Sequence, residues 1–355
     1  MSSIVESHLI KSIKRYKVKD GTRLICDDAF KDCEYLEDIE LPSTINFIGK
    51  RAFYNCDKLN NIILPENLVY IGDAAFYCNN IRRIPLRVNI PSSVERISGN
   101  PFGYNSIISA NNKRYKVIDN VLYTADGKEL ISYCCPNDEF IIPYGVEKIG
   151  VHAFRNTPIR KITFPETLKI IDKEAFYDAY DLEYVEFPSS LKAIREKAFG
   201  FCNFKCNIVR LPDSVDIIES DAFDFDGEIK IIQISQGLHN HFKSILPKMS
   251  YTKLYAGEII VENDLCFNHD KSEVLNAIEE AEDYIIPEGV IKIHDDAFCY
   301  IEEINIIKFP ETLKSIPQNL FEASSIDINR ILVPKGMKEY YWDVLKDYQD
   351  VIEIY

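Results

Sequence analysis

At 355 residues, with 46% hydrophobic and 12% aromatic residues and no low-complexity stretch, the chain has the composition of a folded protein rather than a disordered one. Its formal charge of −15 argues against a general binder of nucleic-acid backbones, which needs a concentrated basic surface. No apolar run approaches the ~18–20 residues needed to cross a bilayer, so no membrane span is expected.

The first sixteen residues lack the uninterrupted apolar core of a signal peptide. Residues 1–17 instead suit an amphipathic capping helix, with Ser2 or Ser3 as N-cap and Ile4, Val5, Leu9 and Ile13 as its apolar positions. Lys11, Lys14, Arg15, Lys17 and Lys19 form the one basic concentration and are expected to be a solvated face of that cap.

From there one frame recurs, roughly P-x-x-[LVI]-x-x-I-x-x-x-A-F-x-x-C-x-x-[LI]-x-x-I-x-[LF]-P. Its phenylalanine falls at Phe30, Phe53, Phe76, Phe102, Phe154, Phe176, Phe199, Phe223, Phe298 and Phe321. The steps 30→53→76, 154→176→199→223 and 298→321 are 22 to 24 residues, and 76→102 is 26. That period belongs to a leucine-rich-repeat solenoid, which grows in one dimension and needs no division at this length. In residues 36–42, Ile39 and Leu41 alternate with Asp38 and Glu40, the period-2 pattern of a strand with one buried face. Pro42 ends it, having no N–H for a ladder. Similar strands are expected over 59–65, 159–165, 182–188, 206–212, 304–310 and, more loosely, 328–334, stacked into one parallel sheet. A second apolar pair, such as Leu68 and Ile71, suits an opposite wall. Ala-Phe-x-x-Cys suggests one helical turn that drops the phenylalanine into a stacked spine.

Two interruptions carry a second pattern. Residues 115–133 are two alternating runs joined around Asp126-Gly127, a hairpin signal. It returns before Phe298 at a constant offset of 144: Val117 and Val261, Tyr123 and Phe267, Asp126 and Asp270, Glu129 and Glu273. Each is expected to replace or decorate a coil and project from the stack. Residues 331–345 look like a last strand, a glycine turn and a covering helix, and residues 232–246 follow them at an offset of 99. The expected organisation is therefore an N-terminal cap over 1–17, a solenoid over 18–226 with a hairpin insert at about 106–142, and an internal cap-like element over 227–257. A second hairpin and further repeats follow over 258–330, with a C-terminal cap over 331–355.

The frame, as in Ala52-Phe53-Tyr54-Asn55-Cys56-Asp57-Lys58-Leu59-Asn60-Asn61-Ile62-Ile63-Leu64-Pro65 and Ala198-Phe199-Gly200-Phe201-Cys202, resembles the BspA-type (Treponema pallidum-like) leucine-rich repeats of bacterial and protist surface proteins. The likeness spans residues 18–355. It implies a right-handed solenoid used for adhesion or protein binding, and no catalytic residues. The expected fold is an α/β repeat: a leucine-rich-repeat solenoid with parallel sheet, short helical turns, two hairpin inserts and helical end caps.

Candidate chemistry is sparse. Of ten cysteines, Cys33, Cys56 and Cys202 lie three residues after a spine phenylalanine and Cys78 two after, a spacing the repeat explains. Cys202 and Cys206 have no second pair for zinc, and the adjacent Cys134 and Cys135 suit no ordinary disulfide. Free thiols, no leader and no Asn-x-Ser/Thr sequon favour a reducing, cytoplasmic setting, with cell surface or secretion the alternative if a leader was removed. His239 and His241 fall on the cap-like element at a spacing that does not share a helix face. Cys266 and His269 suit a packed thiol and a turn residue. Glu279, Glu280, Glu282 and Asp283 lack the spacing of a calcium loop. No cofactor or metal is expected. The expected partner is a protein, bound on the outward sheet positions Arg83, Lys161, Tyr184, Glu186, Arg210 and Lys308, where arginine and tyrosine most often anchor interfaces.

Overall fold

The computed structural model describes residues 12–78, 85–202, 204, 208–219, 221–223, 231–235, 253–277, 281–295, 297–299, 301–321 and 326–355. The described residues up to 223 form one compact unit, and those from 231 onward form a second. The expected internal cap over 227–257 and the first eleven residues of the N-terminal cap lie largely or wholly outside the described residues. At the end of that N-terminal segment Arg15–Lys17 is a strand, not helix: it pairs in parallel with Asp38–Glu40, and Tyr16 turns inward to meet the Phe30 ring edge-on at 5.4 Å. The alternation Arg-Tyr-Lys already suits a strand with one buried face.

The first unit is a leucine-rich-repeat solenoid with parallel sheets, as the period implies. One wall carries the strands of the I-x-[LF]-P segment: Asn61–Ile62 beside Arg87–Ile90 beside Ile107–Ala110, and Glu139–Ile141 beside Lys161–Thr163. Most of these strands run into a proline, whose carbonyl accepts an N–H from the apolar residue three positions on, as in Ile45 to Pro42, Leu68 to Pro65 and Leu168 to Pro165. That turn aims the chain at the second wall. There Leu24–Ile25, Phe47–Ile48, Tyr70–Ile71 and Arg96–Ile97 form one parallel sheet, and Lys148–Ile149, Ile170–Ile171, Ala193–Ile194 and Ile217–Ile218 continue a second.

The third wall differs from expectation. Ala-Phe-x-x-Cys is not a helical turn, because residues on either side of the phenylalanine, such as Arg51 and Asn55, are left-handed at φ 52° and 56°. The reversal turns alternate N–H groups sideways toward the next coil: Arg51, Phe53 and Asn55 donate to Asp73, Ala75 and Tyr77. A helix would close those bonds within the coil and leave nothing to join neighbours. Inside, Phe30, Phe53, Phe76 and Phe102 stack at 5.2, 5.4 and 5.8 Å, within 9° of parallel. Phe154, Phe176, Phe199 and Phe223 stack at 4.8, 5.1 and 5.5 Å. The cysteines beside them are hydrogen-bond donors to the preceding coil: Cys56 Sγ reaches the Phe30 carbonyl at 3.1 Å and Cys202 Sγ the Phe176 carbonyl at 3.0 Å.

The first interruption is not a projecting two-stranded hairpin. Tyr115–Ile118, Val121–Thr124 and Glu129–Tyr133 form a three-stranded antiparallel meander, whose last strand pairs in parallel with Lys148–Ile149 and so begins the second-wall sheet. The extra turn is Asp119-Asn120, both left-handed, the geometry that two-residue hairpins favour. Tyr133 then takes the spine place ahead of Phe154, its ring 4.8 Å away. Buried Asn100 replaces missing backbone at the splice: its Nδ2 donates to the His152 carbonyl at 2.9 Å, while its Oδ1 accepts from the Phe102 N–H and Ser132 Oγ.

In the second unit the meander recurs as Ile259–Glu262, Leu265–Asn268 and Glu273–Ala277, the last pairing with Lys292–Ile293. Its spine is edge-on rather than stacked: Phe298 and Phe321 lie 5.9 Å apart at 62°. Asp283–Ile285, Glu303–Lys308, Asp327–Val333 and the final strand Ile352–Ile354 form its sheet. Between the last two, the helix Lys338–Val344 lays buried Tyr341 on Phe309 at 5.1 Å.

Candidate functional site

The outward positions of the sheet wall divide into two kinds. Many charges are rungs between neighbouring coils: Lys17 with Glu40 at 3.1 Å, Arg160 with Glu183 at 2.8 Å, and Arg330 with Glu353 through two bonds. Among the described residues, no ion pair engages Lys161, Arg210 or Arg87, and all three are exposed. Lys161 and Tyr184 sit side by side through an isolated parallel bridge. Glu186 is exposed as expected, and Arg210 ends the strand Ile208–Arg210. Lys308, in the second unit, is half-buried and already occupied, with its ammonium 4.1 Å over the Tyr355 ring.

Arg83 lies outside the described residues. The outward place expected for it belongs to Arg87, whose Cα pairs with Asn61 on one side and Ile107 on the other. The 26-residue step from Phe76 to Phe102 held the signal, since counting back from Pro91 instead of forward from Phe76 gives the strand 87–90. Around Arg87 the face is concave. A groove of about 340 Å³ is lined by Ile63, Arg87, Asn89, Ile107 and Ser109. Ile63 is 78% exposed, and further along the same wall Ile141 is 74% exposed. These isoleucines stand where a strand facing only water takes polar residues.

A second concavity lies on the turn wall. It holds about 290 Å³ and is lined by Lys31, Lys50, Asp73, His152, Arg155 and Glu174, among others. His152 bridges two carboxylates, with Nδ1 3.0 Å from Asp73 Oδ1 and Nε2 3.0 Å from Glu174 Oε2, and Arg155 joins Glu174 at 2.8 Å. Burial alone would push the imidazole down, but its hydrogen bonds to Asp73 and Glu174 outweigh that and raise it above its ordinary value. Glu174 is lowered, first by the bond from His152 and against its own burial. The raised histidine gives stability that is complete below its ordinary pKa of 6.5 and is lost as pH rises through the folded value. The lowered glutamate gives stability present above 4.5 and lost as pH falls. His152→Gln is therefore expected to lower the melting temperature most between those two values and least at pH about 9. Paired melts across pH check this, and a constant difference would contradict it.

Several cysteines are buried away from ionisation. Burial pushes Cys134 up to about 12 and Cys135 up to about 11, and raises Cys202 as well. Cys266 is fully buried while His269 is exposed in a turn. His239, His241, Glu279 and Glu280 lie outside the described residues, as does Cys206. Asp283 accepts a hydrogen bond from Asn305 at 2.8 Å. Among the described residues no group of histidine, cysteine and carboxylate is placed to hold a metal ion, and no helix is long and apolar enough to cross a membrane.

No curated protein matches the chain. Solved structures of leucine-rich repeat proteins are similar to it. PcpA, a pneumococcal vaccine antigen, is 20% identical with a TM-score of 0.53 over 97% of this chain and 78% of its own. A leucine-rich cell surface protein from Faecalibacterium prausnitzii A2-165 is 23% identical with a TM-score of 0.48, covering 70% and 74%. The leucine-rich repeat protein of T. pallidum is 16% identical with a TM-score of 0.30, covering 61% and 97%. The BspA-type leucine-rich-repeat pattern itself is matched in six copies over residues 8–125, 127–252 and 272–354. The chain belongs to the BspA-type leucine-rich-repeat family.

Proposed function

We propose that the chain is a non-catalytic scaffold that binds a protein partner through the outer face of its sheet wall. The observation that carries this reading is the groove around Arg87. In a family of repeat scaffolds, on a protein of net charge −15, it sets Arg87, which no ion pair engages among the described residues, beside the exposed isoleucines Ile63 and Ile107. Water rewards neither arrangement by itself. An apolar side chain of a partner covers Ile63 and Ile107, and a partner carboxylate reaches Arg87, a residue type suited to forked recognition. Lys161, Tyr184, Glu186 and Arg210 extend the same face. In this reading the helix Lys338–Val344 and residues 227–257 act as caps. On the same reading the cysteines serve as reduced thiols and the protein works in a reducing compartment.

The test compares wild type with a Lys161→Glu/Arg210→Glu variant and an Ile63→Ser/Arg87→Glu variant, each matched to wild type for melting temperature. Capture from lysate of the source organism is expected to retain one protein with wild type and to lose it with both variants. Equal retention by all three would remove the sheet face from the argument. Binding only to intact host cells or matrix would instead favour a surface adhesin.

A further inference from the structure

The left-handed positions that open each turn on the third wall form a column: Asp28, Arg51, Ala74, His152, Glu174 and Lys197. The N–H groups of the first five make the same inter-coil bond, as in Asp28 to Lys50, Ala74 to Asn100 and His152 to Lys173. Every other member of this column carries a long or charged side chain. Ala74 leaves its place empty between Arg51 and His152, and the turn-wall cavity of about 290 Å³ is the space so left. This cavity is on a different wall from the protein-binding face.

Its lining is cationic on an acidic protein. Lys31, Lys50, Arg51, Arg155 and Lys173 face it with His152, against Asp73 and Glu174. Those carboxylates are committed: Asp73 Oδ1 takes His152 at 3.0 Å and the Asn100 N–H at 3.2 Å, while Glu174 Oε2 takes His152 and Arg155. Arg51 is held by Asp28 and Lys173 by Glu196. Lys50 has only a long contact to Asp73, at 3.8 Å, and Lys31 lies 5.8 Å over the Tyr54 ring. Among the described residues Lys31 has no carboxylate partner and Lys50 has only that long one, so two ammonium groups border a concave, polar space. The space is at the small end of ligand pockets.

We propose that the cavity over Ala74 binds a small oxyanion with two or more negative charges, of the phosphate or pyrophosphate class, held chiefly by Lys31 and Lys50. Flexible ammonium groups adapt to such a charge from several directions, and concave surroundings concentrate their field. The probe is sodium pyrophosphate, titrated calorimetrically into the full chain at low ionic strength, with citrate as a carboxylate comparison. Wild type is expected to bind one equivalent. Lys31→Gln/Lys50→Gln is expected to weaken binding by about tenfold or more, the loss of charge-assisted hydrogen bonds. Ala74→Glu, which puts a carboxylate into the empty place, is expected to do the same. Melting curves establish that each variant is folded, and the lysine pair decides alone if Ala74→Glu is not. No saturable heat with wild type overturns the proposal, as does equal affinity in the folded variants, which places binding elsewhere. Tighter binding of citrate overturns the assignment to phosphate chemistry.

Discussion

Phe176→Ala is expected to destabilise the first unit by about 3–5 kcal/mol, the cost of a large aromatic truncation in a packed core. Phe176 has no exposed surface and lies between two rings, Phe154 at 4.8 Å and Phe199 at 5.1 Å, with Phe164 against its edge at 6.0 Å. Removing it takes away contacts on both sides, and the coils above and below are tied by backbone bonds on the walls, which limits collapse into the void. The carbonyl of Phe176 also accepts the Cys202 thiol, so any backbone shift reaches the next coil. Glu186→Ala, on the outward face of the same region, is expected to leave stability within about 0.5 kcal/mol of wild type. Denaturant unfolding of the two variants checks the contrast. Equal midpoints would contradict the inward and outward assignments.

Gly72→Ala is expected to cost about 1–3 kcal/mol or more, though it adds one methyl group. A Cβ at Gly72 would stand 2.5 Å from Lys50 N and 2.6 Å from the carbonyl carbon of Gly49. Both are backbone atoms of the preceding coil, so no rotamer relieves the overlap. At this point the Gly72 N–H bonds the Ile48 carbonyl at 2.8 Å, and the coils cannot separate without breaking it. Later coils carry Asp172 and Arg195 in the corresponding place, making the same bond to Ile149 and Ile171, so the close approach is local to the early coils. Gly336→Ala is the control, because nothing lies within 4 Å of a Cβ there. A melting temperature that falls for Gly336→Ala and not for Gly72→Ala would contradict the packing described.

The spine and the strand-ending prolines were legible in the sequence because each depends on one residue type repeated at one period. Phe53 and Pro65 do the same work in their coil as Phe176 and Pro188 in theirs, and periodicity reports such local, repeated requirements well. The turn wall was misread as helical because Ala-Phe-x-x-Cys has helical composition. What decides its conformation is the neighbouring coil, which offers Asp73, Ala75 and Tyr77 carbonyls to N–H groups that a helix would consume. The shift from Arg83 to Arg87 has a similar cause: the residues inserted after Phe76 lie before the strand, and only strand pairing with Asn61 reveals on which side they fall. The charged cavity was not legible at all. Asp73 and His152 are 79 positions apart, and they meet because the coil around Phe102 and the meander after it contribute little to the turn wall, a fact about splicing rather than composition.

The buried thiols give the molecule a built-in clock. Burial holds Cys134 and Cys202 far from ionisation, and Cys202 also donates its proton to the Phe176 carbonyl, while an alkylating reagent needs access to the thiol and its thiolate. Modification of such a thiol therefore waits for its coil to open. Cys26 is exposed and reacts as an internal reference, Cys33, Cys56, Cys78 and Cys202 time the first unit, and Cys266 times the second. With thiols spread along both units, the order in which a solenoid comes apart is written into covalent labels that survive digestion.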